Sequence, residues 1–130
     1  MQISYNPVTR ITMNDINSLE SDALNNLKLV ILACCNLGNG RENGNNMANL
    51  LHSKGVETVI AFENIVYGTE IEGWVSMFFA TITPDKTVKD TIDILSDFYE
   101  DMFNPLGLDP SPCTVSNPYI CGNENLIIFN

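Results

Sequence analysis

The sequence predicts an α/β domain with a mostly parallel sheet flanked by helices, and three observations support this class. The segment Lys28 to Cys34 is apolar from Leu29 onward and has the length of a buried parallel strand. A second strand-like run, Val56 to Phe62, follows after a loop and a short helix. Two amphipathic helical patterns come next. This alternation of strands and helices predicts parallel pairing through a right-handed crossover.

The elements before and between the two strands follow from composition. An extended piece from Val8 to Met13 and a short polar helix or turn around Ser18 to Asn26 precede the first strand. Residues 36–46 contain three glycines and five asparagines, which indicates a loop. A helix that begins near Met47 ends at Gly55, because glycine readily adopts the left-handed conformation that terminates helices.

Two longer helices and a closing strand complete the predicted elements. The apolar face of the first helix comprises Ile71, Trp74, Val75, Phe78, Phe79 and Ile82. After a break at Thr83-Pro84-Asp85, the apolar positions of the second helix are Val88, Ile92, Leu95, Phe98, Tyr99 and Met102. A proline-rich segment, Asn104 to Pro118, precedes an extended piece at Tyr119 to Cys121, a turn, and a last strand or hairpin arm from Leu126 to Phe129.

Composition narrows the class of protein and its partners. The 130 residues suit a single domain or domain fragment over 1–130, and the apolar content of 45% excludes a disordered chain. Sixteen acidic residues against six basic ones give a formal net charge of −10, which argues against a nucleic-acid partner. No apolar run has the length of a membrane span, and the N-terminus does not resemble a signal peptide. We therefore expect a soluble cytoplasmic protein with no membrane partner.

The four cysteines are read as free thiols. Cys34 and Cys35 are adjacent, which makes an ordinary disulfide between them awkward, so Cys113 and Cys121 are the only pair that could form a bridge. There is no CxxC motif, and the single histidine, His52, cannot complete a convincing zinc site. The loop glycines are too loosely spaced for a Walker or Rossmann motif. We expect neither a metal nor a cofactor.

Cys34 is the candidate nucleophile, because it ends the first strand at the sheet edge where open α/β folds bind ligands. The thiolate is the reactive form, and backbone N–H groups of the loop around Gly38 could stabilise an oxyanion. The alternative is a buried core cysteine, since free cysteine is among the most buried residue types. We reject His52 as the general base for Cys34. His52 lies at the end of the helix that follows the loop, and about eight helical residues place it ~12 Å from Cys34.

Glu63 and Asn64 are the candidate substrate-binding residues. They follow the second strand, on the same carboxyl edge of the sheet as Cys34. A carboxylate at this place could bind a Lys or Arg side chain of a substrate. The alternative is an ordinary acidic residue in a solvated loop.

The segment from Leu27 to about Tyr99 resembles the caspase-like superfamily of cysteine peptidases, especially its CHAT and clostripain-like branches. The matching pieces are the strand Leu29 to Cys34, the loop Gly38 to Gly44, the helix Met47 to Lys54, the turn Gly55-Val56, the strand Thr58 to Phe62 and the helices from Thr69 onward. The resemblance implies a three-layer αβα fold and Cys34, not Cys35, as the nucleophile. It also implies a pocket for peptide or protein substrates at Glu63 and Asn64, with cleavage after Arg or Lys in many relatives.

The chain departs from that family in its histidine. Relatives carry the catalytic histidine in a His-Gly motif before the cysteine, and this sequence has no such motif. The resemblance therefore leaves two functions open: a cysteine endopeptidase module that takes its histidine from an upstream segment or another chain, or a catalytically inactive interaction domain. It also implies a sheet that is incomplete at its N-terminal side, and the unpaired edge predicts self-association or a partner strand.

Overall fold

Three short strands and four helices form the part of the chain that the computed structural model describes, residues 12–33, 46–62, 68–103, 106, 115 and 118–129. In chain order they are α1 Met13–Asn17, β1 Leu29–Leu32, α2 Met47–Ser53, β2 Thr58–Ala61, α3 Gly68–Thr81, α4 Val88–Phe103 and β3 Tyr119–Gly122. The α/β class is confirmed. No helix within these ranges is long and apolar enough to cross a membrane.

The described strands form one sheet in the order β1-β2-β3. β1 and β2 are parallel, with Leu29 opposite Thr58 and Leu32 opposite Ala61, so the predicted strand–helix–strand unit is confirmed. β3 is antiparallel to β2, which makes this sheet mixed rather than mostly parallel. β3 is antiparallel because of the connection between β2 and β3, which runs through two helices, α3 and α4.

The start of α4 explains the direction of β3. The backbone amides of Val88 and Lys89 donate to the carbonyl oxygens of Leu126 and Glu124, just beyond the end of β3. Gly122 at that end pairs with Thr58, the first residue of β2. The helix α4 therefore begins at the amino end of β2, and the chain enters β3 beside the carboxyl end, at Ala61.

Helices cover both faces of the described sheet, which gives three layers. Val59 and Ala61 of β2 pack with α2 in one apolar cluster, whereas Ile60 and the following Phe62 pack with α3 and α4 in another. Alternate residues of a strand point to opposite faces, so the two clusters lie on the two sides of the sheet. The short helix α1 joins the α2 side through Ile16.

The predicted apolar faces of the long helices are only partly buried. Phe79 is 53% exposed, Phe98 44% and Met102 50%, although all three were expected to face the core. In α4 the buried positions are Val88, Thr91, Ile92, Leu95 and Tyr99. Phe98 and Met102 lie on the adjoining flank, because a helix in contact with a single layer buries one stripe and leaves the flanks in solvent.

Near the chain ends, the helix or turn expected around Ser18 to Asn26 is confirmed as a turn, whereas the last strand or hairpin arm expected from Leu126 to Phe129 is wrong. Helix α1 lies at Met13–Asn17, held by a capping box between Thr12 and Asp15, and residues 21–26 form turns. Leu126 is buried but belongs to no strand, because its carbonyl oxygen accepts the amide of Val88 at the start of α4. The predicted extended piece at Val8 to Met13 lies, apart from its end, outside the described residues.

Candidate functional site

The carboxyl ends of β1 and β2 meet at one edge of the sheet. The register places Leu32 opposite Ala61, so Ala33 and Phe62, the next residues of the two strands, leave the sheet at the same edge. Cys34 follows Ala33 in the sequence, and Glu63 follows Phe62. Cys34, Gly38, Glu63 and Asn64 lie outside the described residues. The described backbone thus brings Ala33 and Phe62 to the edge where open α/β sheets bind ligands.

An open cleft of about 680 Å³ lies beside the end of β1. Its described walls are Ala33 after β1 and five residues of α3: Gly68, Ile71, Glu72, Val75 and Ser76. Ile71 and Val75 provide apolar wall, and Glu72 provides a carboxylate. An apolar wall with one carboxylate suits a side chain with an aliphatic stem and a cationic head, as in Lys or Arg.

The buried stripe of α3, to which Ile71 of the wall also belongs, fixes this wall in place. Trp74 and Phe78 are fully buried, and their rings stack with centroids 5.4 Å apart. Trp74 also meets Phe62 edge-to-face at 5.2 Å. Phe62 directly follows β2, so these aromatic contacts tie α3 to the carboxyl edge of the sheet. Among the described residues, the Nε1 atom of Trp74 has no hydrogen-bond partner.

His52 lies at the other end of the sheet, as expected from its position in the sequence. It occupies the last turn of α2, and its Nδ1 donates to the carbonyl oxygen of Val56 at 2.7 Å, just before β2. Its ring also lies beside Gly122, which pairs with the first residue of β2. The length of β2 alone, about 10 Å, separates this ring from the carboxyl edge, so His52 is out of reach of the cleft.

Cys121 is a buried free thiol, so a Cys113–Cys121 bridge is absent, and the predicted free state is confirmed for Cys121. Asn49 of α2 holds it: the Asn49 Oδ1 atom accepts from Cys121 Sγ at 2.9 Å and from the Tyr119 hydroxyl at 2.7 Å. Burial raises the pKa of the Cys121 thiol, and the neutral form is therefore favoured. Such a thiol is a poor nucleophile. Cys113 lies outside the described residues.

The contribution of α3 to the cleft was missed at the level of sequence. Gly68, Glu72, Val75 and Ser76 recur at spacings of four, three and one, which places them on one side of a helix. That pattern contains the signal, but only the packing of α3 shows which structure this side faces. Within the described ranges, no group of three or more His, Cys, Asp or Glu side chains could hold a metal ion.

The described residues define a small α/β protein with a mixed sheet of three described strands and a carboxyl-edge cleft. No protein-family model, curated protein or solved structure matches the chain.

Proposed function

We propose that this protein is a caspase-like cysteine endopeptidase module that binds a peptide in the carboxyl-edge cleft. In this proposal Cys34 is the nucleophile, and the Gly38 loop provides the oxyanion donors. Glu63 and Asn64 contact the substrate residue before the cut. The module works in the cytoplasm, where thiols remain reduced.

The observation that carries the proposal is the cleft beside Ala33. The residue before Cys34 lines an open space of about 680 Å³, whose described charged wall is Glu72. The layered packing of helices on both faces of a sheet with parallel β1 and β2 also agrees with the family resemblance. A basic substrate residue suits an acidic protein with a formal net charge of −10.

The proposed reaction proceeds through a thioester. The Cys34 thiolate attacks the peptide carbonyl carbon after a histidine has taken the thiol proton, and backbone N–H groups stabilise the resulting oxyanion. The C–N bond then breaks, and the same histidine returns its proton to the leaving amine. Water hydrolyses the thioester, which releases the acid and regenerates the thiol.

The histidine must come from outside these 130 residues, because His52 is the only one in the sequence and lies at the wrong edge. β1 is an edge strand of the described sheet, since β2 is its only described neighbour. A histidine-bearing strand from an upstream segment or another chain would pair with β1 there and end at the carboxyl edge.

Alkylation by iodoacetamide across pH tests the nucleophile. Cys34 is followed in a Cys35→Ser, Cys113→Ser background, and Cys113 in a matched Cys34→Ser, Cys35→Ser background. We expect Cys34 to react faster near neutral pH, with an apparent pKa below the ordinary thiol value of about 8.5. Free imidazole should then accelerate hydrolysis of a fluorogenic Arg peptide by the Cys34 protein but not by its Cys34→Ser variant. A Cys34 no faster than Cys113 would contradict the peptidase function.

The position of His52 favours a second candidate, a non-catalytic interaction domain with the same fold. In that case the cleft binds a partner, and Cys34 reacts like an ordinary thiol. The coding sequence upstream of Met1 separates the two candidates at little cost. An in-frame His-Gly motif supports the peptidase, and a promoter and ribosome-binding site directly before Met1 support the interaction domain.

A further inference from the structure

An exposed apolar row runs along α4. Ile94, Phe98 and Met102 follow one another at intervals of four residues, so they stand in line on one flank of the helix. Their exposed fractions are 44%, 44% and 50%. Single exposed apolar residues are common on protein surfaces, but a continuous row indicates an interaction site.

Acidic residues border this row. Asp90, Asp97 and Asp101 each lie three or four positions from one of its members, so they form the adjacent line on the helix surface. Within the part of the chain that the structure describes, neither Asp97 nor Asp101 has an ion-pair partner. The lysine of this helix, Lys89, pairs with Asp93 at 2.6 Å. The negative charge beside the apolar row is therefore uncompensated.

We propose that this flank binds a basic amphipathic helix of a partner protein. The α4 surface, as we name it, comprises Asp90, Ile94, Asp97, Phe98, Asp101 and Met102. The apolar side of the partner helix covers Ile94, Phe98 and Met102, as in helix-in-groove recognition. Its Lys or Arg residues lie beside Asp97 and Asp101, which sets orientation and association rate. This inference is independent of Cys34 and holds for either candidate function.

Electrostatic repulsion argues against other occupants of the α4 surface. In a two-fold contact between two copies, the same patch faces itself, and the Asp97 and Asp101 carboxylates of both copies would come close together. Anionic lipid and nucleic acid would be repelled by these carboxylates and by the formal net charge of −10. A cationic amphipathic segment satisfies both the apolar and the acidic row.

Titration of a fluorescent Leu/Lys amphipathic helical peptide into the full chain tests the proposal. A peptide of the same composition in scrambled order and a Leu/Glu version are the probe controls. We expect saturable binding of the Leu/Lys helix only, with amide shifts in NMR spectra centred on residues 94–102. The Phe98→Ser, Met102→Ser variant should bind at least about tenfold more weakly, since it removes two of the three apolar side chains of the row.

Matched variants separate this surface from general acidity. Asp97→Asn with Asp101→Asn should weaken binding about threefold or more at low salt and lose most of the salt dependence. Phe79→Ser on α3 and Asp22→Asn outside α4 remove an exposed ring and an acid elsewhere, and should leave the affinity unchanged. The proposal is wrong if the α4 variants bind as tightly as the parent chain. Self-association in sedimentation that the Phe98→Ser, Met102→Ser variant abolishes would also overturn it, because a second copy would then be the occupant.

Discussion

The two ends of β2 differ in how closely the chain packs around them. At the amino end, His52 bonds to the Val56 carbonyl, and Gly122 lies so close to Glu57 that an added Cβ would overlap its carbonyl oxygen. At the carboxyl end, Ala33 lines an open cleft, and an added Cβ at Gly68 would meet no atom within 4 Å. The single histidine therefore belongs to the closed, structural end of β2, whereas space for a ligand exists at the other end.

The glycines at the two ends provide the largest expected contrast. Gly122→Ala should lower the free energy of unfolding by about 3 kcal/mol, because the methyl group overlaps the Glu57 backbone and the glycine has a positive φ of 105°. The matched variant Gly68→Ala should change it by less than about 1 kcal/mol. Urea unfolding followed by circular dichroism measures both. Equal losses would mean that the two ends are packed alike.

His52→Ala tests whether the histidine is structural. We expect a loss of about 1 kcal/mol or less, since one hydrogen bond to the Val56 carbonyl disappears from an exposed ring. The pH profile of Cys34 alkylation should stay the same, because His52 lies out of reach of the carboxyl edge. Ser53→Ala, the next residue, is the control for general damage to α2. If the pH profile of Cys34 alkylation shifts in His52→Ala but not in Ser53→Ala, His52 acts as a base after all.

Cys121 should make a smaller contribution to the free energy of unfolding, and this contribution becomes visible at high pH. Its pKa is raised by burial, so the stability it provides is fully present below the unfolded value of about 9 and is lost as the pH rises through the higher folded value. The urea midpoint should therefore fall further between pH 7 and pH 10 for the parent chain than for Cys121→Ala. Cys113→Ala serves as the control. A pH-dependent loss that is the same in all three proteins would exclude this role for Cys121.

The smallest expected effect concerns the charge of the cleft. Glu72→Gln should reduce the preference of Cys34 for a cationic over an anionic methanethiosulfonate reagent by about twofold, since one exposed charge acts through water. Rates are measured in the Cys35→Ser, Cys113→Ser background. Glu100→Gln on α4 removes the same charge outside the cleft and should leave the preference unchanged. An equal change in both variants would mean that Glu72 has no local electrostatic effect on the cleft.

The sequence predicted the backbone plan well where local signals agree. The apolar runs at Leu29 and Thr58 became the parallel pair β1 and β2. Gly55 ends α2 with a positive φ of 114°, as its position after an apolar helix suggests. The break at Pro84 also separates the two long helices. Each of these features depends on neighbouring residues and on the steric limits of glycine and proline.

Features that depend on distant contacts were predicted less well. The periodicity of α4 marks Phe98 and Met102 as apolar but does not say which stripe meets the sheet. The segment after β3 contacts α4 instead of extending the sheet, because the carbonyl oxygens of Glu124 and Leu126 accept the first amides of α4. The cleft wall at Glu72 depends on the docking of the adjoining buried stripe of α3 through Trp74 and Phe78.

By itself, the sequence determined the α/β class, the parallel unit from β1 to β2, the free state of Cys121 and the isolation of His52 from the end of β1. Only the tertiary structure decided the antiparallel β3, the exposed flank of α4 and the part of α3 that lines the cleft. The physical reason is the separation along the chain of the residues that determine each feature. Helix and strand periods and turn conformations are set by residues a few positions apart, whereas strand direction, helix rotation and open space result from contacts between segments far apart in the chain.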